Sequence, residues 1–340
     1  MPLKILVIDD SAYSRAALTG LLKSIPGVED VSTAVDGVDG YRQALKIMPD
    51  LIMLDLEMPN MDGFTFLRLI KGKQQAPVIV LTSRRWETDA ATALELGAVD
   101  FLEKPALCPS DRFFSIKGEL AKRIGLIPYM RPQNGLSLKR QVKAAGKTMP
   151  DIIAIGASTG GPKAISTIIR ALPSDLGAAI VISLHMPPWL TEPFVERLNS
   201  ESLIQVRIAE DGCMVERESV LIAPGGAHMT FLKSGSNFMV KLEQRGSEDH
   251  YAPSVDRMFS SAAKVWGPRL TGIVLTGMGT DGRQGAEEIK SNGGYVIAES
   301  KESSILFSMP EAIISAGISD EVLSVGEIGE WIIEKCSLKH

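Results

Sequence analysis

Short apolar runs alternate with helix-like segments along the first 105 residues, and this alternation restricts the fold more than any other feature. Five runs have the length and the aliphatic composition of buried strands: Leu3–Ile8, Val28–Ala34, Leu51–Leu54, Val78–Thr82 and Asp100–Leu102. The segments between them repeat apolar residues at helical spacing. Strands that alternate with helices form a parallel sheet covered on both faces, so we predict a doubly wound α/β domain over residues 1–124.

A second α/β series begins at Asp151, and a chain of 340 residues is long enough for two such domains. We predict a second doubly wound parallel-sheet domain over residues 151–340. Its strand candidates are Ile152–Ile155, Ala179–Ser183, Val220–Ala223, Phe238–Lys241, Gly272–Leu275 and Tyr295–Ala298. Residues 125–150 are rich in proline, glycine and basic residues and lack strand or helix periodicity. They fit a solvated interdomain linker better than a nucleic-acid arm.

Composition argues against several classes of protein. Hydrophobic residues make up 45% of the chain and charged residues 23%, and the formal net charge is −5, which disfavours a chain-wide nucleic-acid surface. No apolar run is long enough to cross a bilayer, and the N-terminus MPLKILVIDD turns acidic too early for a signal peptide. Three distant cysteines suit a reducing compartment. We therefore expect a cytoplasmic protein without nucleic-acid binding or membrane insertion.

Acidic and polar residues stand at the ends of the predicted strands of the first domain. Asp9 and Asp10 end the first strand, Asp55 the third and Thr82 the fourth, and Lys104 follows the fifth. Neighbouring parallel strands end at one crevice, where three carboxylates would repel one another without a cation. Oxygen ligands favour Mg²⁺, and the hydroxyl and ammonium groups beside them suit phosphoryl transfer to Asp55. For any single residue, the alternative is a solvated loop residue or a helix cap.

The stretches VIDDS, LDLEMPNMDG, LTS and FLEKP carry these residues, and over about residues 1–124 the chain resembles the receiver domain of response regulators. The resemblance implies a flavodoxin-like fold and phosphorylation of Asp55 by a partner histidine kinase. It implies switching and phosphate-contact roles for Thr82 and Lys104. The implied Mg²⁺ ligands are Asp9, Asp10, Asp55 and the backbone carbonyl of Glu57.

The turn IGASTGGPKA, residues 155–164, lies between a predicted strand and a predicted helix. It does not match a phosphate-binding loop, because Pro162 stands where a P-loop requires lysine and Ser158 occupies the second glycine position of the dinucleotide fingerprint. The segment 156–160 does match G-x-S-x-G, the sequence form of a nucleophile elbow. The match favours Ser158 as a nucleophile, although glycine and serine are also common in ordinary turns.

A nucleophilic serine requires a base, and the chain has only four histidines. His185 follows a strand candidate of the same sheet and is the first choice, while His228 in APGGAHM is the second. Asp281, in the loop LTGMGTDG after another strand, is the candidate third member, although it could instead cap a helix. Ser158, His185 and Asp281 together predict acyl-transfer chemistry. Their order along the chain differs from the Ser, Asp, His order of α/β-hydrolases, which indicates another sheet topology.

Six stretches of the second domain resemble the catalytic domain of chemotaxis protein-glutamate methylesterases over about residues 151–320: IGASTGGPKA, LHMPPWLT, LIAPGGAHM, PSVDRMF, LTGMGTDG and SMPEAI. The resemblance implies a Rossmann-like esterase domain that needs no cofactor. The implied activity is hydrolysis of glutamate methyl esters on chemoreceptor helices, often with deamidation of receptor glutamines. The implied roles are nucleophile for Ser158, base for His185, orienting acid for Asp281, and oxyanion-hole backbone for Thr159 and Met278.

The sequence departs from that family's usual pattern at Leu184, where glutamine is common, and at Phe307-Ser308, where glycine precedes Met-Pro. Both departures concern the shape of the substrate cleft. From the domain order and the resemblance we expect an esterase that the receiver inhibits until Asp55 is phosphorylated. The alternatives are a response regulator whose second domain only binds a partner, and a methylesterase of a non-flagellar receptor pathway.

Overall fold

The computed structural model of the chain describes residues 2–71, 73, 76–82, 87–104, 117–118, 120–121, 123–124 and 150–337, without the side chains of residues 82, 87–89 and 103. The chain divides into two compact units, Met1–Arg131 and Pro132–His340. The predicted linker, residues 125–150, lies outside the described residues except for its last position, so the predicted domain boundaries stay a prediction. No described helix has both the length and the apolar character that a membrane span requires.

In the first unit the structure gives the bounds of five strands and four helices, and the described residues 117–118, 120–121 and 123–124 are also helical. The elements with bounds are β1 (Leu3–Ile8), α1 (Ala12–Lys23), β2 (Val28–Ala34), α2 (Gly37–Ile47), β3 (Leu51–Asp55), α3 (Gly63–Ile70), β4 (Val78–Thr82), α4 (Glu87–Leu96) and β5 (Asp100–Glu103). All strand pairs are parallel, in the order β2-β1-β3-β4-β5. This is the flavodoxin-like order, in which ligands bind where the order reverses, beside β1 and β3. The predicted fold of this unit is confirmed.

The second unit contains nine strands and six α-helices among the described residues. They are β6 (Ile152–Ala157), α5 (Gly161–Ala171), β7 (Ala179–Leu184), α6 (Pro188–Ser200), β8 (Gln205–Ile208), β9 (Ser219–Ile222), β10 (Ala227–Ser234), β11 (Asn237–Gln244), α7 (Val255–Trp266), β12 (Leu270–Val274), α8 (Arg283–Ser291), β13 (Tyr295–Glu299), α9 (Ser308–Ser315), β14 (Glu321–Leu323) and α10 (Val325–Cys336). Seven strands form one parallel sheet in the order β14-β13-β12-β6-β7-β9-β8. The predicted parallel α/β architecture is confirmed.

One predicted strand of the second unit has a different partner from the expected one. Phe238–Lys241 belongs to β11, which pairs antiparallel with β10 in a separate hairpin rather than joining the parallel sheet. The sequence analysis also missed β8, β10 and β14. Strands β8 and β14 are short and lie at the two edges of the sheet, so they lack the long apolar run that identifies a central strand.

Strand β6 lies in the middle of the sheet, between β12 and β7, at the point where the strand order reverses. All six of its residues are buried. Gly156 is required near its end, because a Cβ there would lie 2.2 Å from Cγ1 of Val255 at the start of α7. Helix α7 therefore packs directly against the end of β6. The topology brings the segments that follow β6, β7 and β12 to one edge of the sheet.

Candidate functional site

Two hydrogen bonds join Ser158, His185 and Asp281 at the carboxyl edge of three adjacent strands. Ser158 follows β6, His185 follows β7, and Asp281 lies in the loop after β12. Oγ of Ser158 lies 3.1 Å from Nδ1 of His185, and Nε2 of His185 lies 2.7 Å from Oδ2 of Asp281. The structure therefore brings together the three residues selected from the sequence, in the arrangement of nucleophile, base and orienting carboxylate.

Backbone hydrogen bonds fix these strand ends relative to one another. The amide of His185 donates to the carbonyl of Ala157 at 3.0 Å, which ties the end of β7 to the end of β6. The amide of Ser158 donates to the carbonyl of Thr276 at 3.0 Å, which ties the nucleophile to the loop after β12. These bonds fix Ser158 relative to His185 and to the loop that carries Asp281.

The turn at Ser158 differs from the strained elbow that its sequence pattern suggests. The amide of Gly161 donates to the carbonyl of Ser158 at 2.7 Å and closes a tight turn. Gly160 provides the left-handed backbone, with φ of +79°, whereas Ser158 is not among the described residues with positive φ. The second glycine of G-x-S-x-G therefore permits the turn, and the serine stays in an ordinary conformation.

Asp281 is buried and receives four hydrogen bonds. Its two oxygens accept from His185 Nε2, from the amides of Val255 and Asp256, and from the hydroxyl of Ser254. Burial alone would raise the pKa of Asp281, but the bonds from His185 and the two amides lower it to about 2. The carboxylate is therefore ionised. It is fixed by the first amides of α7 and accepts the hydrogen bond that orients the base, His185.

The partners of His185 assign its tautomer. An ionised Asp281 accepts only, so Nε2 of His185 carries the proton and Nδ1 presents its lone pair to Ser158 Oγ. The two ring nitrogens thus exchange the roles that they have in chymotrypsin-type triads, where Nε2 faces the serine. This tautomer suits proton transfer from the serine hydroxyl to Nδ1.

The loop 277–279 lies against the nucleophile and contains one candidate oxyanion donor. A Cβ on Gly277 would lie 2.8 Å from Cβ of Ser158. The amide of Gly277 donates to a backbone carbonyl at 2.9 Å and that of Gly279 to Ser308 Oγ at 3.0 Å. In the described part of the chain, no group accepts a hydrogen bond from the amide of Met278. Of the three amides in this loop, that of Met278 is therefore the one that could donate to a substrate.

Thr159 directly follows the nucleophile, at the start of the turn into α5. It is almost fully buried, and its carbonyl accepts a hydrogen bond from Oγ1 of Thr276 at 2.9 Å. This bond fixes the peptide unit between Thr159 and Gly160. The proposed part of the Thr159 and Met278 amides in an oxyanion hole stays a prediction.

His228, the second candidate base, has another role. It is completely buried, its Nε2 lies 2.9 Å from Oδ2 of Asp249, and its Nδ1 accepts from the amide of Ser254 at 3.2 Å. Both ring nitrogens are therefore engaged away from Ser158. The sequence analysis missed Ser254 as a partner of Asp281, although a serine directly before a helical pattern is a recognisable N-cap signal.

In the first unit, Asp9, Asp10 and Asp55 lie together at the carboxyl ends of β1 and β3. One carboxylate oxygen from each lies within 4.8 Å of the other two. Asp9 and Asp55 are buried and Asp10 is exposed. Nζ of Lys104 contacts Oδ2 of Asp55 and lies 3.1 Å from Oδ2 of Asp9. The acidic cluster and its lysine thus meet where the sequence predicts them.

This cluster fits a hard divalent cation. Oδ2 of Asp9 is buried and receives no well-aimed hydrogen bond from the described residues, although Lys104 lies nearby. Burial raises the pKa of Asp55 to about 6 despite its contact with Lys104, and the charge of Asp9 adds to the effect. A cation among the three carboxylates would offset both costs. The amide of Glu57 donates to Oδ1 of Asp55 at 3.3 Å, and the side chain of Thr82 lies outside the described residues.

The chain matches two family models and is similar to proteins that share both of its parts. The family model described as CheB methylesterase matches residues 153–332, and that of the response regulator receiver domain matches residues 5–110. A Geobacter sulfurreducens protein named protein-glutamate methylesterase/protein-glutamine glutaminase 3 is 40% identical over 99% of this chain and 98% of its own length. A Myxococcus xanthus protein named protein-glutamate methylesterase/protein-glutamine glutaminase 1 is 39% identical over 96% of this chain and 95% of its own.

One solved structure resembles the second unit. The crystal structure of the Thermotoga maritima CheB methylesterase catalytic domain is 39% identical, covers 54% of this chain and 98% of its own length, and superposes with a TM-score of 0.53. Family model, relatives and structure agree on the same domain, and its three candidate catalytic side chains form a hydrogen-bonded triad here. The chain therefore belongs to the CheB methylesterase family and carries a response regulator receiver domain before the methylesterase domain.

Proposed function

We propose that this protein hydrolyses the γ-methyl esters of glutamate residues on chemoreceptors, and that Ser158, His185 and Asp281 carry out the reaction. The supporting observation is the hydrogen-bonded chain from Ser158 Oγ through His185 to Asp281 in a member of the CheB methylesterase family. The names of the relatives also include glutaminase activity, so we extend the proposal to deamidation of receptor glutamines at the same site.

The first half of the reaction forms an acyl-enzyme. Oγ of Ser158 attacks the ester carbonyl carbon while its proton passes to Nδ1 of His185. Asp281 stays ionised and stabilises the imidazolium through Nε2–H. The amides of Thr159 and Met278 would donate to the carbonyl oxygen as it gains negative charge. Nδ1–H then protonates the methoxy oxygen, methanol leaves, and the glutamate side chain remains esterified to the serine.

The second half releases the product. Nδ1 of His185 takes a proton from water, and the water oxygen attacks the acyl carbon. When the intermediate collapses, that proton passes to Oγ of Ser158, and the receptor glutamate leaves as a carboxylic acid that loses its remaining proton to water. A glutamine side chain would follow the same course, with ammonia in the place of methanol. The proposed steps use only groups of the chain and water, so we expect no cofactor in this domain.

The first unit is proposed to regulate the second by phosphorylation of Asp55. A histidine kinase would donate the phosphoryl group, and the receiver would cease to inhibit the esterase domain. Bound Mg²⁺ would neutralise charge on the phosphoryl oxygens. Lys104 is positioned to contact the phosphoryl group, and Thr82 is the proposed switch residue. The proposed metal ligands are Asp9, Asp10, Asp55 and the backbone carbonyl of Glu57. The receiver match and the acidic cluster support this proposal.

The proposed partners define where the protein would act. Methylated helices of chemoreceptor cytoplasmic domains are the proposed substrate, so the proposed location is the cytoplasm. The proposal includes neither nucleic-acid binding nor insertion into the membrane, because the chain has a net charge of −5 and its methylesterase domain is a parallel α/β sheet.

Release of methanol from a methylated chemoreceptor fragment tests the proposed activity. The full-length protein is compared with Ser158→Ala and Asp55→Asn, each with and without acetyl phosphate and Mg²⁺. We expect Ser158→Ala to lower the rate by roughly 10³- to 10⁶-fold. The phosphodonor should raise the rate of the wild type and not that of Asp55→Asn.

Two other outcomes would contradict parts of the proposal. A wild type no faster than Ser158→Ala would indicate a response regulator whose second domain only binds a partner. An active enzyme with the same rate before and after phosphorylation would contradict the regulatory role of the receiver while leaving the triad assignment intact.

A further inference from the structure

Tyr251, which no sequence motif singled out, lies face to face with the imidazole of His185. The ring centroids are 4.2 Å apart and the ring planes differ by 7°. Tyr251 is 36% exposed, whereas the side chain of His185 is only 10% exposed. The tyrosine ring therefore covers one face of the base at the border of the site, outside the buried core.

The hydroxyl end of Tyr251 reaches the loop 277–279. A Cβ on Gly279 would lie 3.1 Å from this hydroxyl oxygen. The ring thus spans the distance from His185 to the loop that carries Met278. Burial and the charge of Asp281 raise the pKa of the Tyr251 phenol, so the group stays neutral near pH 7 and does not act as a second base.

Hydrogen bonds to one buried histidine hold the loop on both sides of Tyr251. Nε2 of His228 lies 2.9 Å from Oδ2 of Asp249, two residues before the tyrosine. Nδ1 of His228 accepts from the amide of Ser254, three residues after it. Oγ of Ser254 also donates to Asp281 at 3.1 Å, so the same loop is fixed to the triad. The ring is therefore held in position by contacts that are independent of a substrate.

The stacked geometry gains importance when His185 becomes positively charged. The face of an aromatic ring has a negative electrostatic potential and attracts a cation held against it. His185 must be neutral to accept the serine proton, and it is positive in the transition state of each half-reaction. The contact with the ring is therefore stronger in the transition state than in the ground state. Such a difference raises kcat and has little effect on KM.

We propose that Tyr251 is a positioning residue of the esterase, an inference that rests on the proposed function. Its ring holds the imidazole of His185 between Ser158 and Asp281 and stabilises the imidazolium that forms there. The hydroxyl of Tyr251 has no essential part in this role. His228 contributes indirectly, because it fixes the loop that presents the ring.

Two substitutions in the full-length protein separate the ring from the hydroxyl. Tyr251→Phe keeps the aromatic face, and we expect kcat to stay within about twofold of the wild type. Tyr251→Leu keeps apolar volume without that face, and we expect kcat to fall roughly three- to thirty-fold while KM is nearly unchanged. Both constants are measured as methanol release from a soluble chemoreceptor fragment with methyl-labelled glutamates, in the absence of a phosphodonor.

The outcomes distinguish this inference from the proposed function. Equal kcat values for Tyr251→Phe and Tyr251→Leu, with the wild type far above Ser158→Ala, overturn the inference alone. A higher KM with unchanged kcat in Tyr251→Leu also overturns it, because the ring would then be only a wall of the substrate cleft. A wild type no faster than Ser158→Ala overturns both. Urea unfolding followed by tryptophan fluorescence identifies a misfolded variant, and Tyr251→Met then provides the non-aromatic comparison.

Discussion

Asp256 and Asp281 cap each other's helices. The carboxylate of each accepts hydrogen bonds from the first backbone amides of the helix at whose start the other residue lies. Asp281 stands two residues before α8, yet it accepts from the amides of Val255 and Asp256 at the start of α7. Asp256 is in the first turn of α7, yet its Oδ1 accepts from the amides of Gly282 and Gly285 at the start of α8. The orienting carboxylate of the triad is thus one half of a reciprocal pair of helix caps.

The pair shares its negative charge unequally. Burial raises the pKa of Asp256 to about 6, and the nearby charge of Asp281 adds to the rise. Burial would do the same to Asp281, but the hydrogen bond and charge of His185 prevail and lower its pKa to about 2. Asp281 therefore stays ionised for catalysis. The repulsion between the two adjacent carboxylates contributes instead to the raised pKa of Asp256.

Asp256→Asn should change the pH dependence of stability. The pKa of Asp256 in the folded protein lies above its ordinary value of 3.8, so the folded state binds a proton more readily than the unfolded one. The resulting stabilisation is complete below about pH 4 and is lost as the pH rises through about 6. The free energy of unfolding of the wild type, relative to Asp256→Asn, should therefore increase by about 1 kcal/mol from pH 7 to pH 4.5, after allowance for the partial exposure of the side chain.

Urea unfolding followed by tryptophan fluorescence measures this difference, since three of the four tryptophans lie in the second unit. Asn keeps an oxygen that can accept from the start of α8, whereas Asp256→Ala loses it and should be less stable at every pH, by about 1 kcal/mol. A difference between the wild type and Asp256→Asn that stays constant over this pH range contradicts the assigned pKa.

Asp281→Asn should inactivate the enzyme while leaving Ser158 in place. An asparagine side chain has one acceptor oxygen, so it cannot accept from His185 Nε2 and from both backbone amides as the carboxylate does. If its NH2 group faces His185 instead, it favours the tautomer in which Nδ1 carries the proton and cannot accept one from Ser158. We expect kcat/KM to fall on the order of 10³- to 10⁴-fold. Ser254→Ala removes only one of the four donors to Asp281 and should cost about tenfold or less. Equal losses in the two variants, measured as methanol release, would show that the carboxylate has no special role.

The positions of the triad could be predicted because each member lies after a strand of one parallel sheet, Ser158 and His185 directly and Asp281 in the following loop. Ser158, His185 and Asp281 lie far apart in the chain, but the ends of β6, β7 and β12 are adjacent whichever loops connect them. The rule that ligands bind where strand order reverses then places all three at one edge. The same rule predicts the meeting of Asp9 and Asp55, which end β1 and β3.

The supporting contacts could not be predicted in the same way, because they depend on which loops fold back over the sheet. Tyr251 reaches His185 only through a loop that follows the β10–β11 hairpin, and the apolar run of β11 does not reveal that its partner is antiparallel. Gly160 rather than Ser158 has the left-handed backbone, a distinction that G-x-S-x-G does not contain. Glu299 is an isolated acid in the sequence, and only the tertiary structure buries it.

Asp10→Asn should weaken Mg²⁺ binding to the receiver without unfolding it. Asp10 is exposed, yet its carboxylate lies with those of the buried Asp9 and Asp55. Loss of one oxygen ligand should lower Mg²⁺ affinity at least roughly tenfold, as measured by calorimetric titration of the full-length protein. Asp30→Asn, which removes an exposed acid of β2, is the matched control and should bind as the wild type does. Phosphorylation by acetyl phosphate should cease when EDTA removes the metal. Unchanged Mg²⁺ affinity in Asp10→Asn would exclude this residue from the ligand set.

Glu299 is a buried acid behind the nucleophile, and two substitutions should separate its shape from its charge. One of its oxygens accepts from the amide of Thr276 at 2.7 Å and the other from Ser303 Oγ at 2.8 Å. The carbonyl of Thr276 in turn accepts from the amide of Ser158. Burial raises the pKa of Glu299, so the ionised form destabilises the folded state relative to the neutral one. The Glu299 oxygen that accepts from the amide of Thr276 therefore supports the site, whereas the negative charge of Glu299 does not stabilise the fold.

Glu299→Gln keeps an oxygen for the amide of Thr276 and removes the charge, so we expect equal or greater stability at pH 7 and kcat within about threefold of the wild type. Glu299→Ala leaves that buried amide without a partner and opens a cavity, which should cost about 2–4 kcal/mol in unfolding free energy. Because Thr276 holds Ser158, the alanine variant should also lose kcat. If the glutamine variant loses as much stability and activity as the alanine variant, the charge of Glu299 is required and the site depends on an ionised group that the triad does not include.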